Sequence, residues 1–288
     1  MTNKILVTGS NGQLGSDLRD LAASYPQYDF IFTDVAELSI VDKKAVEEFF
    51  ARERPGYLIN CAAYTAVDKA ESEKQLSDEI NGIAVGILAS ACQTFGTRLI
   101  HISTDYVFDG NASYPLKETD KVNPVNAYGA SKLLGEQLAI EHNPKAIIIR
   151  TSWVYSFYGK NFVKTMIRLM SEKDSIGVVS DQVGSPTYAA DLAGAIMQII
   201  SSGKWEPGIY NYSNKGVISW FEFANEIKEQ IGSNCLVNPL ATEQFPTPAK
   251  RPKYSVLDKE KIQNTFSVKL KDWKESLRIC INKLTAQG

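Results

Sequence analysis

The run Gly9-Ser10-Asn11-Gly12-Gln13-Leu14-Gly15 constrains this chain more than any other feature, because it follows the apolar segment Lys4–Thr8 directly. That segment reads as a buried strand. After the run, Leu14, Leu18 and Leu21 recur at helical spacing. A strand, a tight glycine turn and a helix in that order leave few folds open. Gly9 permits the turn, Gly12 lets the backbone approach a pyrophosphate, and Gly15 lets helix and strand pack closely. Amide groups at the helix start then face phosphate oxygens. Phe30-Ile31-Phe32 reads as a second strand, and Asp34 ends it, 19 residues past Gly15. An acid there is placed to hold an adenosine ribose 2′-hydroxyl and to repel a 2′-phosphate. Lys43 and Lys44 lie close in sequence and keep NADPH open beside NADH.

The alternation continues. Tyr57–Asn60, Arg98–Ile102 and Ala146–Ile149 read as three more strands. Helical periodicity separates them, including one long helix carrying Ile83, Ile87, Leu88 and Ala91, and another carrying Leu133, Leu134, Leu138 and Ile140. These strands are apolar throughout, as strands covered on both faces should be. The pattern predicts an α/β fold, a Rossmann-type doubly wound parallel sheet built from right-handed βαβ units. Residues 1–152 form the dinucleotide-binding part. Residues 153–288 form a smaller α/β region that binds mainly substrate and is interleaved with the first. Within it, helices are expected at Phe162–Met170, Ala190–Ile200, from Asp258 and over Leu270–Leu284. Ser219-Trp220-Phe221-Glu222 is a capping box opening another helix. Four prolines in 239–254 predict an extended loop.

Composition narrows the function. A net charge of −2 over 288 residues gives no basic excess for nucleic acid or an anionic membrane. No apolar run is long enough for a signal peptide or a transmembrane helix. A cytoplasmic protein is expected. The four cysteines (61, 92, 235, 280) form no CxxC pair and only His101 and His142 are present, so no zinc site is expected. The cysteines read as reduced core residues.

Tyr128-Gly129-Ala130-Ser131-Lys132 puts a phenol and an ammonium on one helical face, one turn apart. Ketone reduction needs a proton donor beside the carbonyl oxygen. A nearby lysine cation is expected to lower the phenol's pKa and to hydrogen-bond the nicotinamide ribose. Thr104, at the carboxyl end of the fourth strand, is placed to assist, with Ser103 as competitor. The GxxGxxG spacing, Asn60-Cys61-Ala62-Ala63 and the YxxxK pair resemble the extended short-chain dehydrogenase/reductase superfamily.

Longer segments carry a closer resemblance. Ser103-Thr104-Asp105-Tyr106-Val107-Phe108-Asp109-Gly110, Ala63–Glu71, Asn126–Gly129, Arg150–Tyr155, Asp181–Thr187 and Pro248–Pro252 resemble the dTDP-4-dehydrorhamnose reductase family across nearly the whole chain. The resemblance implies NAD(P)H-dependent reduction of the C4 ketone of dTDP-4-dehydro-L-rhamnose, feeding a cell-surface polysaccharide. It implies Tyr128 as proton donor, Lys132 as ribose ligand and Thr104 as assistant. Cofactor contacts would come from Gly12, Gln13, Leu14, Asp34, Ala62, Ala63, Thr65, Tyr128 and Lys132. Trp153 would touch the sugar nucleotide, and Thr104 and Asp105 the deoxysugar. Independently, Trp153 follows the fifth strand, where an aromatic face can pack on a sugar. Arg251 is a candidate for the diphosphate, since a guanidinium matches phosphate oxygens. Some relatives are implied to form a magnesium-bridged dimer through glutamates. This chain has Asp17 and the Ala190-Asp191 pair in those places. No metal is expected, magnesium is doubtful, and both monomer and homodimer stay open. The competing readings are another nucleotide-sugar 4-ketoreductase or epimerase, and a non-catalytic subunit resembling the methionine adenosyltransferase β-subunit.

Overall fold

The computed structural model describes residues 2–286. Strand β1 (Lys4–Thr8) lies between β2 (Asp29–Thr33) and β3 (Tyr57–Asn60), paired in parallel with both. Strands β4 (Arg98–Thr104) and β5 (Ile147–Thr151) extend the sheet beyond β3, again in parallel. The crossovers carry α1 (Gln13–Ala22), α2 (Lys43–Glu53), α3 (Lys74–Asp78) with α4 (Ala84–Phe95), and α5 (Ala127–His142). Alternate residues of the strands enter opposite layers. Ile5, Val7, Ile59 and Ile149 join one core, and Leu6, Leu58, Leu99 and Ile148 the other. Each such buried side chain contributes roughly 1.5–3 kcal/mol, which is why uninterrupted apolar runs were needed. The doubly wound α/β class expected from the alternation is the fold observed.

The remaining elements are β6 (Val154–Tyr155), α6 (Phe162–Glu172), β7 (Ser175–Val179), β8 (Val183–Gly184), β9 (Thr187–Tyr188), α7 (Ala189–Ser201), β10 (Gly208–Asn211), β11 (Ile218–Ser219), α8 (Trp220–Ile231), β12 (Leu236–Leu240), α9 (Glu260–Phe266) and α10 (Trp273–Thr285). They split between two tasks. Strand β10 pairs with β5 and completes a sheet in the order β2-β1-β3-β4-β5-β10, while α7 and α9 add Leu192, Ile196 and Ile262 to the core shared with α1. The others build a separate apolar cluster around Val163, Ile176, Phe223 and Leu277. The capping box at Ser219 is formed in full, with Glu222 returning to the Ser219 amide at 2.7 Å.

Three expectations need correction. The stretch 239–254 is not wholly loop, because Leu236–Leu240 runs parallel to β7 with Pro239 opposite Val178. A two-stranded sheet has only edge strands, and an edge tolerates the missing amide of proline. The long helix of the third crossover is broken by a π-helical turn at Glu79–Ile83. Ile83 and Ile140, assigned to helical apolar faces, are exposed.

Candidate active site

The sheet order reverses beside β1, and the glycine turn sits at that strand's carboxyl end. Ligands of such sheets bind at this crevice. Gly9 has φ +64°, and a Cβ there would come within 2.6 Å of the Ala62 backbone. At Gly15 a Cβ would come within 2.5 Å of the Gly9 carbonyl. Any larger residue would therefore push β1, α1 and the segment after β3 apart. Helix α1 has Gly12 as its N-cap, with no side-chain cap and no acid in the first turn. Its leading amides and the positive end of its dipole are free to meet an anion.

A cavity of about 340 Å³ opens beside this turn, lined by Gly9, Gly12, Asp34, Cys61, Ala62 and Ala63 together with apolar side chains such as Leu38 and Ile40. Asp34 lies one residue beyond β2 and accepts the Asn11 amide at 3.0 Å. No lysine or arginine lines the cavity. Lys43 and Lys44 face Glu47 and Glu48 of their own exposed helical turn instead. An apolar slot, a carboxylate at its rim and a bare helix start fit the adenosine and diphosphate of a dinucleotide. Gln13, Leu14, Gly15, Thr65, Tyr128 and Lys132 lie outside this lining. Leu14 and Gly15 are buried within α1. Gln13 accepts a hydrogen bond from Asn161 at 2.9 Å. Thr65 is exposed on the loop after β3. Cys92, Cys235 and Cys280 are buried as expected, whereas Cys61 lines the cavity.

Tyr128 and Lys132 occupy the first turns of α5. Asn126 caps that helix by accepting the Gly129 amide at 2.7 Å and also donates to the Lys250 carbonyl at 2.8 Å. The Ala127 amide donates to Glu71 at 2.8 Å. These bonds fix the helix start on which the phenol rides. Thr104 lies within hydrogen-bond reach of the Tyr128 phenol, and its hydroxyl also donates to Asp105 at 3.0 Å. Ser103 donates instead to Glu136 at 2.5 Å, two turns further along α5 than Tyr128. Glu136 thus claims Ser103, and Thr104 is the hydroxyl left beside the phenol.

The electrostatics differ from the expectation. Burial pushes the Tyr128 phenol up to about 12, the Thr104 bond pulls it back, and Asp105 pushes it up. The Lys132 charge is not among these causes. Its ammonium donates to the Ile102 carbonyl at 2.6 Å. Burial brings Lys132 down to about 8, opposed by Glu136 and Cys61. Asp105, nearly inaccessible, is raised by burial to about 6, with the Ser255 and Thr104 hydroxyls opposing.

On the other side of the crevice Trp153 has φ +48° and stacks on Trp220 with ring centroids 3.6 Å apart. A sugar cannot share the face that Trp220 covers. Gly184 lies against the same indole, where a Cβ would come within 2.7 Å of it. Arg251 pairs with Asp68 at 2.9 Å and donates to the Ala249 carbonyl at 3.1 Å. Asp17 is buried and accepts from Ser156 at 2.6 Å, while Asp191 accepts from Asn214, Ser276 and Lys271. Among the described residues no group of three or more His, Cys, Asp or Glu side chains gathers as a metal site, and no helix is long and apolar enough to cross a membrane.

The sequence model of the family described as "RmlD substrate binding domain" matches residues 3–286. A dTDP-4-dehydrorhamnose reductase of Aggregatibacter actinomycetemcomitans is 41% identical over 285 residues, which is 96% of this chain and 97% of that protein. The chain belongs to the RmlD family of dTDP-4-dehydrorhamnose reductases. Its fold superposes on the Clostridium acetobutylicum member with a TM-score of 0.94 at 45% identity, covering 98% of this chain and 99% of that one. The Bacillus anthracis member, solved in complex with NADP, gives 0.93 at 42% identity over 98% of this chain and 100% of that one.

Several residues that build the site had no role assigned from the motifs named above. Asn81, fully buried in the π-helical turn, bonds to the Tyr64 backbone and to Ser131. A π-turn is a frequent device at functional sites, but its register shift has no local sequence mark. Asn60 accepts from Thr8 at 2.7 Å and from the Ala62 amide at 3.2 Å, and contacts His101 at 3.0 Å. Burial and the Lys132 charge hold His101 well below its usual pKa, so it serves there as a neutral ring. Trp220 was legible only as part of a capping box.

Proposed function

We propose that this chain reduces the C4 ketone of dTDP-4-dehydro-L-rhamnose to dTDP-L-rhamnose with NADPH or NADH. The observation that carries the reading is the convergence of Thr104, Tyr128 and Lys132 at the carboxyl end of β4, beside a glycine turn that leaves a helix start uncapped. Family membership supplies the sugar. The bound dinucleotide would lie along Gly9–Gly15, Asp34, Ala62, Ala63 and Thr65, and its reduced nicotinamide supplies the hydride that C4 receives.

The chain's own residues do the rest. Tyr128 holds its proton firmly because burial raises its pKa to about 12. A neutral phenol is the form a proton donor needs, and an alkoxide developing at O4 is basic enough to take the proton. Thr104 lies beside the phenol and can turn its one hydroxyl proton from Asp105 to the charge left on the phenol oxygen. Hydride at C4 and a proton at O4 balance the reduction, and Tyr128 regains its proton from solvent. Lys132 uses one of its three N–H donors on the Ile102 carbonyl, leaving two for ribose hydroxyls. Asp105 borders the deoxysugar, Trp153 touches the sugar nucleotide with the part of its indole that the Trp220 stack leaves open, and Arg251 takes the diphosphate. A cytoplasmic setting suits a reaction between two nucleotide-linked metabolites.

The test is a panel of nucleotide-linked 4-ketosugars with both cofactors. Turnover of the dTDP-4-dehydro-L-rhamnose sample above the others is expected. Tyr128→Phe should lower kcat by about 10²–10⁴-fold while cofactor Kd stays near the native value. Native turnover in that variant would remove Tyr128 from the role of proton donor.

A further inference from the structure

We propose that the buried Glu136–Arg150 ion pair positions both halves of the reductive site, Lys132 on α5 and Thr104 on β4. The proposal rests on the reductase reading above and names residues that reading does not use. Glu136 is 1% exposed and Arg150 2%. The guanidinium reaches both carboxylate oxygens, at 2.9 and 2.7 Å. Such a forked pair fixes direction as well as charge.

Its placement gives it a role beyond holding the sheet. Lys132 and Glu136 lie one helical turn apart on α5, and they grip consecutive residues of β4. Lys132 holds the Ile102 carbonyl and Glu136 holds the Ser103 hydroxyl. The next residue is Thr104, whose hydroxyl meets Tyr128 and Asp105. Two adjacent stitches therefore set the height of the strand end against the helix that carries the phenol and the ammonium. Arg150 anchors the stitch from β5. It also donates to the Glu118 carbonyl at 3.4 Å and lies 5.1 Å from the Phe108 ring centre. Without Glu136, Ser103 loses its partner and a bare guanidinium charge remains inside the core.

The pair also acts on charge. The groups facing the Lys132 ammonium are Glu136 on its own helix, Cys61 after β3 and neutral His101 on β4. Glu136 is the anion among them and favours the protonated lysine. Losing it shifts Lys132 toward the neutral form at a lower pH.

The experiment compares three variants of the full chain. Glu136→Gln keeps the shape and removes the charge. The double variant Glu136→Gln/Arg150→Met removes both charges, which relieves the stranded cation and guards the fold. Ser103→Ala removes one hydrogen bond and no charge. Thermal unfolding checks each fold, and NADH and NADPH affinities are read by fluorescence without any sugar present. The double variant is expected to unfold near the native temperature. Its kcat should still fall by about 10–100-fold and its cofactor Kd should rise several-fold, while in Glu136→Gln, which keeps Arg150, the alkaline limb of the rate profile should move about one pH unit toward neutral. Ser103→Ala should fold, lower kcat by about 10-fold and leave cofactor Kd alone. Native kcat and cofactor Kd in a folded double variant, with a native alkaline limb in Glu136→Gln and native kcat in Ser103→Ala, would overturn the proposal. If the double variant does not fold, Ser103→Ala decides alone. If the native chain turns over no ketosugar, the reductase reading fails, and the cofactor Kd of the double variant still decides the positioning of Lys132.

Discussion

Asn81 grips the peptide groups of Tyr64 from both sides, accepting its amide at 2.8 Å and donating to its carbonyl at 2.9 Å. The same side-chain nitrogen donates to Ser131 at 3.0 Å, between Tyr128 and Lys132 on α5. One amide thus ties the loop after β3 to the helix that carries the phenol. The π-helical turn at Glu79–Ile83 is what aims it.

Asn81→Ala leaves the Tyr64 amide and carbonyl without these partners. Each unpaired buried group costs about 1–3 kcal/mol, so the unfolding temperature should drop by several degrees. Turnover should fall by roughly 10–100-fold, as it does when reacting groups shift by about an ångström. Calorimetry and steady-state kinetics check both. Normal kinetics in a destabilised variant would reduce Asn81 to a scaffold residue.

The rate should be lost in alkali through Lys132. Burial lowers its pKa to about 8, so it is charged below that pH and neutral above it. A neutral amine gives up its charge-assisted bonds to ribose hydroxyls. The kcat profile should be level near neutrality and decline as pH rises through about 8. Cofactor Kd should rise over the same interval. A level profile up to about pH 10, the range of an ordinary lysine, would contradict the assignment.

Arg251 is half committed to Asp68, yet its remaining N–H groups are unassigned. Arg251→Ala should weaken dTDP binding by about 10–100-fold, the range for one or two hydrogen bonds to a charged group. NADH affinity should be unchanged. Calorimetric titration with dTDP distinguishes this from general damage. Equal dTDP affinity in native and variant chains would take Arg251 out of the substrate set.

Asp17 carries a pH-dependent stability cost. Burial raises its folded pKa from 3.8 to about 6, although Ser156 and Lys283 oppose the shift. The folded state therefore binds this proton more tightly than the unfolded state. That contribution is full below about pH 4, is lost as pH rises through 6, and leaves an ionised buried carboxylate at pH 7. Asp17→Asn keeps an acceptor for Ser156 and removes the charge. It should stabilise the protein by about 1–3 kcal/mol at pH 7, with the gain fading between pH 6 and 4. Urea unfolding across that range is the measurement. A gain that does not change with pH would point to packing instead.

The parts of the site that sequence revealed are those whose reasons are local. Gly9 and Gly15 are read directly because no other residue fits their backbone contacts. Tyr128 and Lys132 are read from helical spacing, and Thr104 from its place at a strand end. What stayed hidden depends on tertiary register. The turn that aims Asn81 has ordinary helix-forming residues around it. The partner of Trp153 is 67 positions away in Trp220, and nothing in either neighbourhood marks the stack. Pro239 argued locally for loop, yet an edge strand accommodates it. Spacing also gives no direction to an ammonium, and the Ile102 carbonyl claims one N–H of Lys132.

Strand β10 has a consequence for biosynthesis. The nucleotide-binding sheet closes with Gly208–Asn211 against β5, so a nascent chain carries the whole glycine turn and the YxxxK helix well before its sheet has both borders. Until residue 211 leaves the ribosome, β5 presents an open hydrogen-bonding edge, the kind of surface that invites pairing with another chain. The later half of the sequence thus acts as the closing strand of the earlier half. Protein made in fragments, or stalled between 151 and 208, should be more prone to aggregation than the finished chain.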